Sequence, residues 1–192
     1  MNGMPVRAGA PLSPFCPLRL ERIFADCFLA AFDTRLVGGA PEPSYEPASG
    51  PGQCHLLHYR EDYFASALHE TAHWCIAGAE RRRLPDFGYW YAPDGRSAAQ
   101  QRAFEAVEYR PQALEWHFSQ ACGFRFRVSL DNLEGGDEAV GDPRAFRARV
   151  WQQARRWQAS GLPPRAARFV AALRREFGQP CAAFRFTLAE LD

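Results

Sequence analysis

Two histidines interrupt an apolar helical segment, and any fold of this chain has to accommodate them. Between about Asp62 and Arg83 the apolar residues recur at helical spacing, which predicts a buried helix that ends in a basic turn. His69 and His73 lie four residues apart on this segment, so their side chains share one face of the helix. Imidazoles on so apolar a helix need polar partners. The sequence therefore predicts a buried helix around which a polar site is built.

A divalent metal ion would satisfy both imidazoles. Histidines four residues apart on a helix can direct their ring nitrogens onto one ion, so we predict that His69 and His73 are metal ligands. Glu70 lies about 100° further around the helix axis, close enough to reach a water or a substrate bound to the metal. Glu70 is therefore the candidate catalytic acid or base.

Two histidines leave the ion undercoordinated, so another element should supply a third ligand. The helix predicted from about Ser97 to Ala121 carries three glutamates. We choose Glu108 as the ligand. Glu105, three residues earlier on the same helix, is the main competitor, either as the ligand or as a residue that contacts a ligand. Glu115 lies two turns after Glu108 and near the same helix face.

The other elements indicate an α+β fold: a mostly helical single domain with a small sheet, and the metal site on a central HExxH helix. We predict a flexible arm over residues 1–16, the domain over 17–177 and a tail over 178–192. Predicted outside the histidine helix are a helix from Pro17, a loop from Gly38 to Gly52, a strand at Leu56–Tyr59, a strand or aromatic loop at Phe87–Tyr91, a strand at Phe124–Leu130, and helices near Pro143–Gln158 and Pro164–Phe177.

Composition narrows the classes of function. A net charge of +1 gives no long-range field toward nucleic acid or an anionic membrane, so we expect neither as a direct partner. The six cysteines contain no C-x-x-C pair and are interpreted as reduced thiols of a cytoplasmic protein. No apolar stretch approaches the roughly 20 residues that cross a bilayer. The oligomeric state is not indicated.

Other polar residues have a weaker claim on function. His117 is interpreted as a buried, hydrogen-bonded histidine, and His55 and His58 as partly exposed. Residues 94–96 and 131–135 could line a substrate cleft, although Asp and Asn beside Gly are also typical of turns.

Two histidines and a carboxylate admit two chemistries. With zinc, the ion polarises a carbonyl and acidifies a water whose proton Glu70 takes, as in a metallopeptidase. With ferrous iron, the same ligands leave open positions for dioxygen and substrate. The spacing alone favours the peptidase. A third possibility is a binding module whose histidines are structural.

Four blocks of sequence change that balance. Residues 67–78, 86–91 with 93–96, 104–108 with 111–114, and 131–135 resemble the elongation factor P hydroxylase family. The resemblance covers roughly residues 17–177. It implies an Fe(II)-dependent oxygenase that uses molecular oxygen to hydroxylate the lysyl-extended lysine of bacterial elongation factor P. It also implies that the metal ligands are His69, His73 and Glu108, and it leaves the role of Glu70 in an oxygenase open.

Overall fold

The computed structural model describes residues 14–88, 97–129, 142–180 and 183–191. These residues form an α+β fold that is mostly helical with one small sheet, as the sequence predicts. The elements in chain order are α1 (Pro17–Phe32), β1 (Thr34–Ala40), β2 (Ser44–Glu46), β3 (His55–Arg60), α2 (Phe64–Ile76), α3 (Ala98–Cys122), α4 (Pro143–Ser160) and α5 (Pro164–Glu176), with 3-10 turns at Arg81–Arg83, Pro85–Gly88 and Leu188–Leu191.

The sheet has the order β1-β3-β2, with β1 parallel and β2 antiparallel to the central β3. The predicted strand at Leu56–Tyr59 is confirmed within β3, but the loop predicted from Gly38 to Gly52 is wrong where β1 and β2 occupy it. Both are edge strands; Gly38 and Gly39 lie within β1, whereas Pro43 and Pro47 flank β2, so that neither strand contains a proline. Gly38 is also required by packing, since a Cβ there would clash with the ring of Tyr59.

Helix α2 is shorter than predicted, because it ends at Ile76 rather than near Arg83. Ala77 is extended, and Arg81–Arg83 forms a separate 3-10 turn. Arg82 and Arg165 both donate hydrogen bonds to the carbonyl oxygen of Ala77, and Arg165 also donates to that of Cys75. Cationic side chains thus bind the last carbonyls of α2, where the helix dipole favours positive charge.

Helix α3 matches its prediction closely. Ser97 caps its N-terminus in a capping box with Gln100, and Gly123 ends it in the left-handed conformation. The helix continues through Pro111. The helices predicted at Pro143–Gln158 and Pro164–Phe177 are confirmed as α4 and α5 to within two residues.

The strand predicted at Phe124–Leu130 is wrong for residues 124–129, which form no regular element. The side chain of Gln112 pairs with the backbone of Ser129 instead of a neighbouring strand, donating from Nε2 to the carbonyl (2.7 Å) and accepting from the amide at Oε1 (3.1 Å). Alternation nonetheless buries Phe126. Phe87 and Gly88 of the predicted strand or aromatic loop lie in the 3-10 turn Pro85–Gly88, so the strand is wrong for these two residues. Residues 89–91 of that segment and Leu130 lie outside the described residues.

An aromatic cluster anchors α2 in the core. Trp74 is fully buried and packs against Phe28 and Phe24 of α1, with ring centroids 4.7 and 5.1 Å away. Arg165 of α5 lies 4.6 Å from the Trp74 ring centroid. Because Trp74 follows His73 directly, this packing also fixes the C-terminal half of the histidine helix.

The remaining predictions about the body are mostly untested. The division into arm, domain and tail stays a prediction, although Phe186 and Leu191 are buried in the core. The cysteines among the described residues are free thiols. None of the described helices is long and apolar enough to cross a membrane.

His117 ties α3 to α4 from inside the core. It is 1% exposed, and its Nε2–H donates to the carbonyl oxygen of Ala154 at 3.1 Å. This confirms the interpretation of a buried, hydrogen-bonded histidine. Burial lowers the pKa of His117 to about 4, so the ring is neutral in the folded protein near neutral pH.

We predict that His117 makes the fold sensitive to acid. Its folded pKa lies below the value of about 6.5 for an unfolded chain, so the unfolded state binds the proton more readily. Its contribution to stability is present above pH 6.5 and is lost as the pH falls toward about 4, a loss of about 3 kcal/mol. Urea unfolding of wild type and His117→Gln between pH 7.5 and pH 4.5 measures this, and the variant should show the shallower pH dependence. Equal slopes would contradict the prediction.

Candidate metal centre

The candidate site lies where α2 packs against α3. Helix α2 buries Ala67, Leu68 and Ala72 on its inner faces, while the side chains of His69 and His73 remain 24% and 11% exposed. Helix α3 presents Glu108, whose side chain is 1% exposed, toward the two imidazoles. The site is therefore closed on the α3 side and more accessible beside His69.

Three side chains bring a ligand atom to the same point. The Nε2 atoms of His69 and His73 lie 3.0 Å apart. The carboxylate of Glu108 reaches both, with Oε2 3.3 Å from His69 Nε2 and Oε1 3.2 Å from His73 Nε2. Within the described ranges, this trio is the cluster of His, Cys, Asp or Glu whose ligand atoms all lie within 4.8 Å of one another.

These separations fit a single ion. Nitrogen or oxygen ligands about 2.1 Å from a metal lie about 3.0 Å apart at right angles and about 3.4 Å apart at the tetrahedral angle. The two Nε2 atoms lie 3.0 Å apart, and each Nε2 lies 3.2 or 3.3 Å from its nearer Glu108 oxygen, so each of these pairs falls in that range. Two imidazole nitrogens and a carboxylate oxygen are also a donor set that Zn²⁺ and Fe²⁺ accept. The residues present therefore fit a divalent metal.

The structure separates Glu108 from its competitor Glu105. Oε1 of Glu105 accepts a hydrogen bond from Gln101 one turn earlier on α3, at 3.2 Å. Glu105 does not join the cluster of His69, His73 and Glu108. The role of Glu108 as a ligand remains a prediction, but it is the glutamate of α3 whose carboxylate meets both Nε2 atoms.

The charges of the cluster are strongly coupled. Burial alone would raise the pKa of Glu108, but the charge of His73 and hydrogen bonds with His69 and His73 outweigh it and hold that pKa far below its usual range. Burial alone would lower the pKa of His69, but hydrogen bonds with Glu108 and Glu115 raise it well above its usual value. The carboxylates thus favour positive charge at this point, which is the electrostatic requirement of a cation site.

Comparison with known proteins supports the family resemblance over most of the chain. Residues 23–186 match the profile of the family described as elongation factor P hydroxylase. A protein of Haemophilus influenzae named elongation factor P lysine hydroxylase is 49% identical over 144 residues, which cover 75% of this chain and 79% of that protein. This chain belongs to the elongation factor P hydroxylase family. The family resemblance found in the sequence is thereby confirmed.

In this member of the hydroxylase family, Glu70 follows His69 directly on α2 and interacts electrostatically with the residues of the cluster. Its side chain is half-buried. Burial raises the pKa of Glu70, the charges of His73 and His69 oppose that rise, and those of Glu108 and Glu115 add to it. Glu70 therefore shares the electrostatic environment of the metal cluster, although its catalytic role stays a prediction.

Glu115 is the residue whose role sequence reasoning missed. Its Oε2 lies 2.9 Å from Nδ1 of His69, on the ring edge that faces away from the cluster. Its position two turns after Glu108 on α3 was the available signal, since residues seven apart lie near one helix face. Spacing alone could not say which nitrogen of His69 it would meet.

The other candidate residues do not join the site. His55 and His58 lie on β3 and are partly exposed, as predicted. The Nδ1 atom of His55 accepts a hydrogen bond from the backbone of Ala48 at 2.9 Å. The two segments proposed to line a cleft, residues 94–96 and 131–135, lie outside the described residues.

We predict that a divalent ion stabilises the folded chain through this cluster. An ion that binds only the folded state at a concentration 100 times its Kd should add about 2.7 kcal/mol to the free energy of unfolding. Thermal melts of metal-stripped protein with and without added Zn²⁺ measure the shift. Glu108→Gln should lose most of it, whereas His58→Gln, which alters a half-buried histidine on β3, should keep it. A full shift in Glu108→Gln would contradict the assignment.

Proposed function

We propose that this chain is an iron-dependent hydroxylase that acts on the lysyl-extended lysine of elongation factor P. The observation that carries the proposal is the meeting of His69 Nε2, His73 Nε2 and the Glu108 carboxylate in a chain of this family. The similar protein from Haemophilus influenzae is named for the same kind of reaction. Acting on a translation factor, the enzyme would work in the cytoplasm.

Ferrous iron held by two histidines and one carboxylate supplies the capacity to activate dioxygen while leaving positions open for it and for substrate. In the overall reaction one oxygen atom enters a C–H bond of the lysine side chain, and the other leaves as water. Two electrons and two protons are therefore needed from an external reductant. His69, His73 and Glu108 would hold the metal between α2 and α3, with the α3 side closed to solvent.

The charge of the site suits a lysine-derived substrate. Glu70, Glu108 and Glu115 bring three carboxylates into mutual electrostatic contact. With all three carboxylates ionised, a divalent ion with two neutral imidazoles would offset two of these charges and leave one negative charge. A lysine ammonium group complements that charge, whereas the neutral carbonyl of a peptide bond does not. We therefore assign Glu70 to the substrate, where its carboxylate would bind and orient the amine.

Zinc peptidase chemistry remains the alternative because the spacing His69-Glu70-x-x-His73 is also that of zinc peptidases. In a peptidase Glu70 would be the base that takes the proton of the metal-bound water. Family membership favours the hydroxylase. The two proposals differ in the metal, in the need for oxygen and in what Glu70 does.

Metal analysis of anaerobically purified protein tests the ion and its third ligand together. We expect iron in the wild type, retained in Glu105→Ala and lost in Glu108→Ala, because Glu108 alone of the two reaches both Nε2 atoms. The measurement is the ratio of metal to protein for the three proteins. Loss of metal from Glu105→Ala but not from Glu108→Ala would show that the carboxylate has been assigned wrongly.

Substitution of Glu70 separates the two chemistries. In the hydroxylase, Glu70→Gln removes one charge-assisted contact, so KM for lysyl-extended elongation factor P should rise roughly 10-fold or more while bound metal is unchanged. Mass spectrometry should detect one added oxygen atom on the substrate, and only when oxygen is supplied. Glu46→Gln, an exposed carboxylate on β2, is the matched control. Product formed without oxygen, or cleavage of the substrate that Glu70→Gln abolishes, would sink the hydroxylase proposal.

A further inference from the structure

Glu115 and the metal cluster approach opposite edges of the same imidazole ring. The Nε2 atom of His69 faces His73 and Glu108, at 3.0 and 3.3 Å. The Nδ1 atom faces Oε2 of Glu115 at 2.9 Å. Glu115 lies on α3 and is itself only 7% exposed. One ring of α2 is thereby held between two carboxylates of α3.

The chemistry of the two ring nitrogens makes this arrangement directional. A carboxylate has no hydrogen to donate, so the hydrogen bond requires Nδ1 of His69 to carry the proton. A neutral imidazole protonated at Nδ1 has its lone pair on Nε2, the nitrogen that faces His73 and Glu108. The same hydrogen bond restricts rotation of the ring about its side-chain torsions. Glu115 therefore selects both the tautomer and the orientation that a metal ligand at this position needs.

We propose that Glu115 is a positioning residue of the metal centre, which holds His69 with Nε2 aimed at the ion. The inference rests on the metal site of the proposed function but not on the reaction catalysed there. Glu115 is not proposed as a ligand, because its carboxylate contacts the ring edge remote from the cluster, whereas Glu108 contacts both ligand nitrogens. Carboxylates placed in this way behind a ligating histidine raise its basicity and fix its orientation.

A purely structural ion pair between Glu115 and His69 is the competing explanation. Such a pair would contribute to folding but would leave metal affinity unchanged once the protein is folded. Affinity for a metal, measured on folded protein, therefore distinguishes the two. It also avoids dependence on hydroxylase activity, so failure of the proposed substrate would not affect the result.

The test compares Fe²⁺ binding by wild type, Glu115→Ala and Glu115→Gln, measured anaerobically by competition with a chromophoric chelator at one pH. Glu115→Ala should weaken binding roughly 10- to 100-fold. Glu115→Gln should remain within a few-fold of wild type, because its amide oxygen accepts the same hydrogen bond from Nδ1. Ser119→Ala, a buried position one turn further along α3, is the matched control and should bind as wild type.

Nitrogen NMR of the Zn²⁺-loaded proteins supplies the second readout. His69 should show a protonated Nδ1 and a metal-bound Nε2 in wild type and Glu115→Gln, and a loss of that pattern in Glu115→Ala. Circular dichroism shows whether each variant is folded. If Glu115→Ala does not fold, the near-isosteric Glu115→Gln still tests the inference. Loss of Fe²⁺ binding in folded Glu115→Gln would overturn it. Wild-type affinity in Glu115→Ala would also overturn it. A wild-type protein that binds no metal would overturn the proposed site and this inference with it.

Discussion

The buried carboxylate of Glu108 constrains how the helices around it can pack. A carboxylate that is 1% exposed is costly unless charged or polar groups surround it, and the imidazoles of His69 and His73 are among those groups. Both imidazoles come from one face of α2, so α2 and α3 must pack with their polar residues in register. A shift of one helix along the other by a single turn would separate the Glu108 carboxylate from the two imidazoles. The packing of α2 against α3 therefore also sets the positions of the site residues.

The elements around α2 prevent that shift. Trp74 packs into the aromatic residues of α1, and the guanidinium groups of Arg82 and Arg165 bind the carbonyl oxygens at the end of the helix. These contacts begin at the residue that follows His73. Ligand atoms must be held within about half an ångström for a metal site to be preorganised, and loops rarely achieve this. Packing of the apolar and aromatic residues thus fixes the positions of the few polar atoms that form the site.

A feature could be predicted from the sequence when local interactions determine it, and was missed when it depends on residues distant in the sequence. Helices with long apolar periodicity and clear caps, such as the one between Ser97 and Gly123, depend on local signals and were predicted closely. The edge strands β1 and β2 were missed because the glycine pair in β1 and the prolines that flank β2 are typical of a loop, and only pairing with β3 makes these segments strands. The same limit applies at the site. Spacing brought His69 and His73 together, but only tertiary packing distinguishes Glu108, Glu105 and Glu115, which share one helix.

The ligand set by itself does not determine the reaction, because two histidines and a glutamate hold zinc in peptidases and iron in oxygenases. The surroundings carry the discriminating information. Helix α3 closes the site behind Glu108, while His69 is the more exposed of the two histidines, and Glu70 follows it directly on α2. In the proposed hydroxylase, a substrate that approaches beside His69 would be close to the carboxylate of Glu70. In the proposed hydroxylase, a long side chain that ends in an ammonium group would place that charge on Glu70 and present a C–H bond to the metal, whereas a peptide backbone has no positive charge to place there.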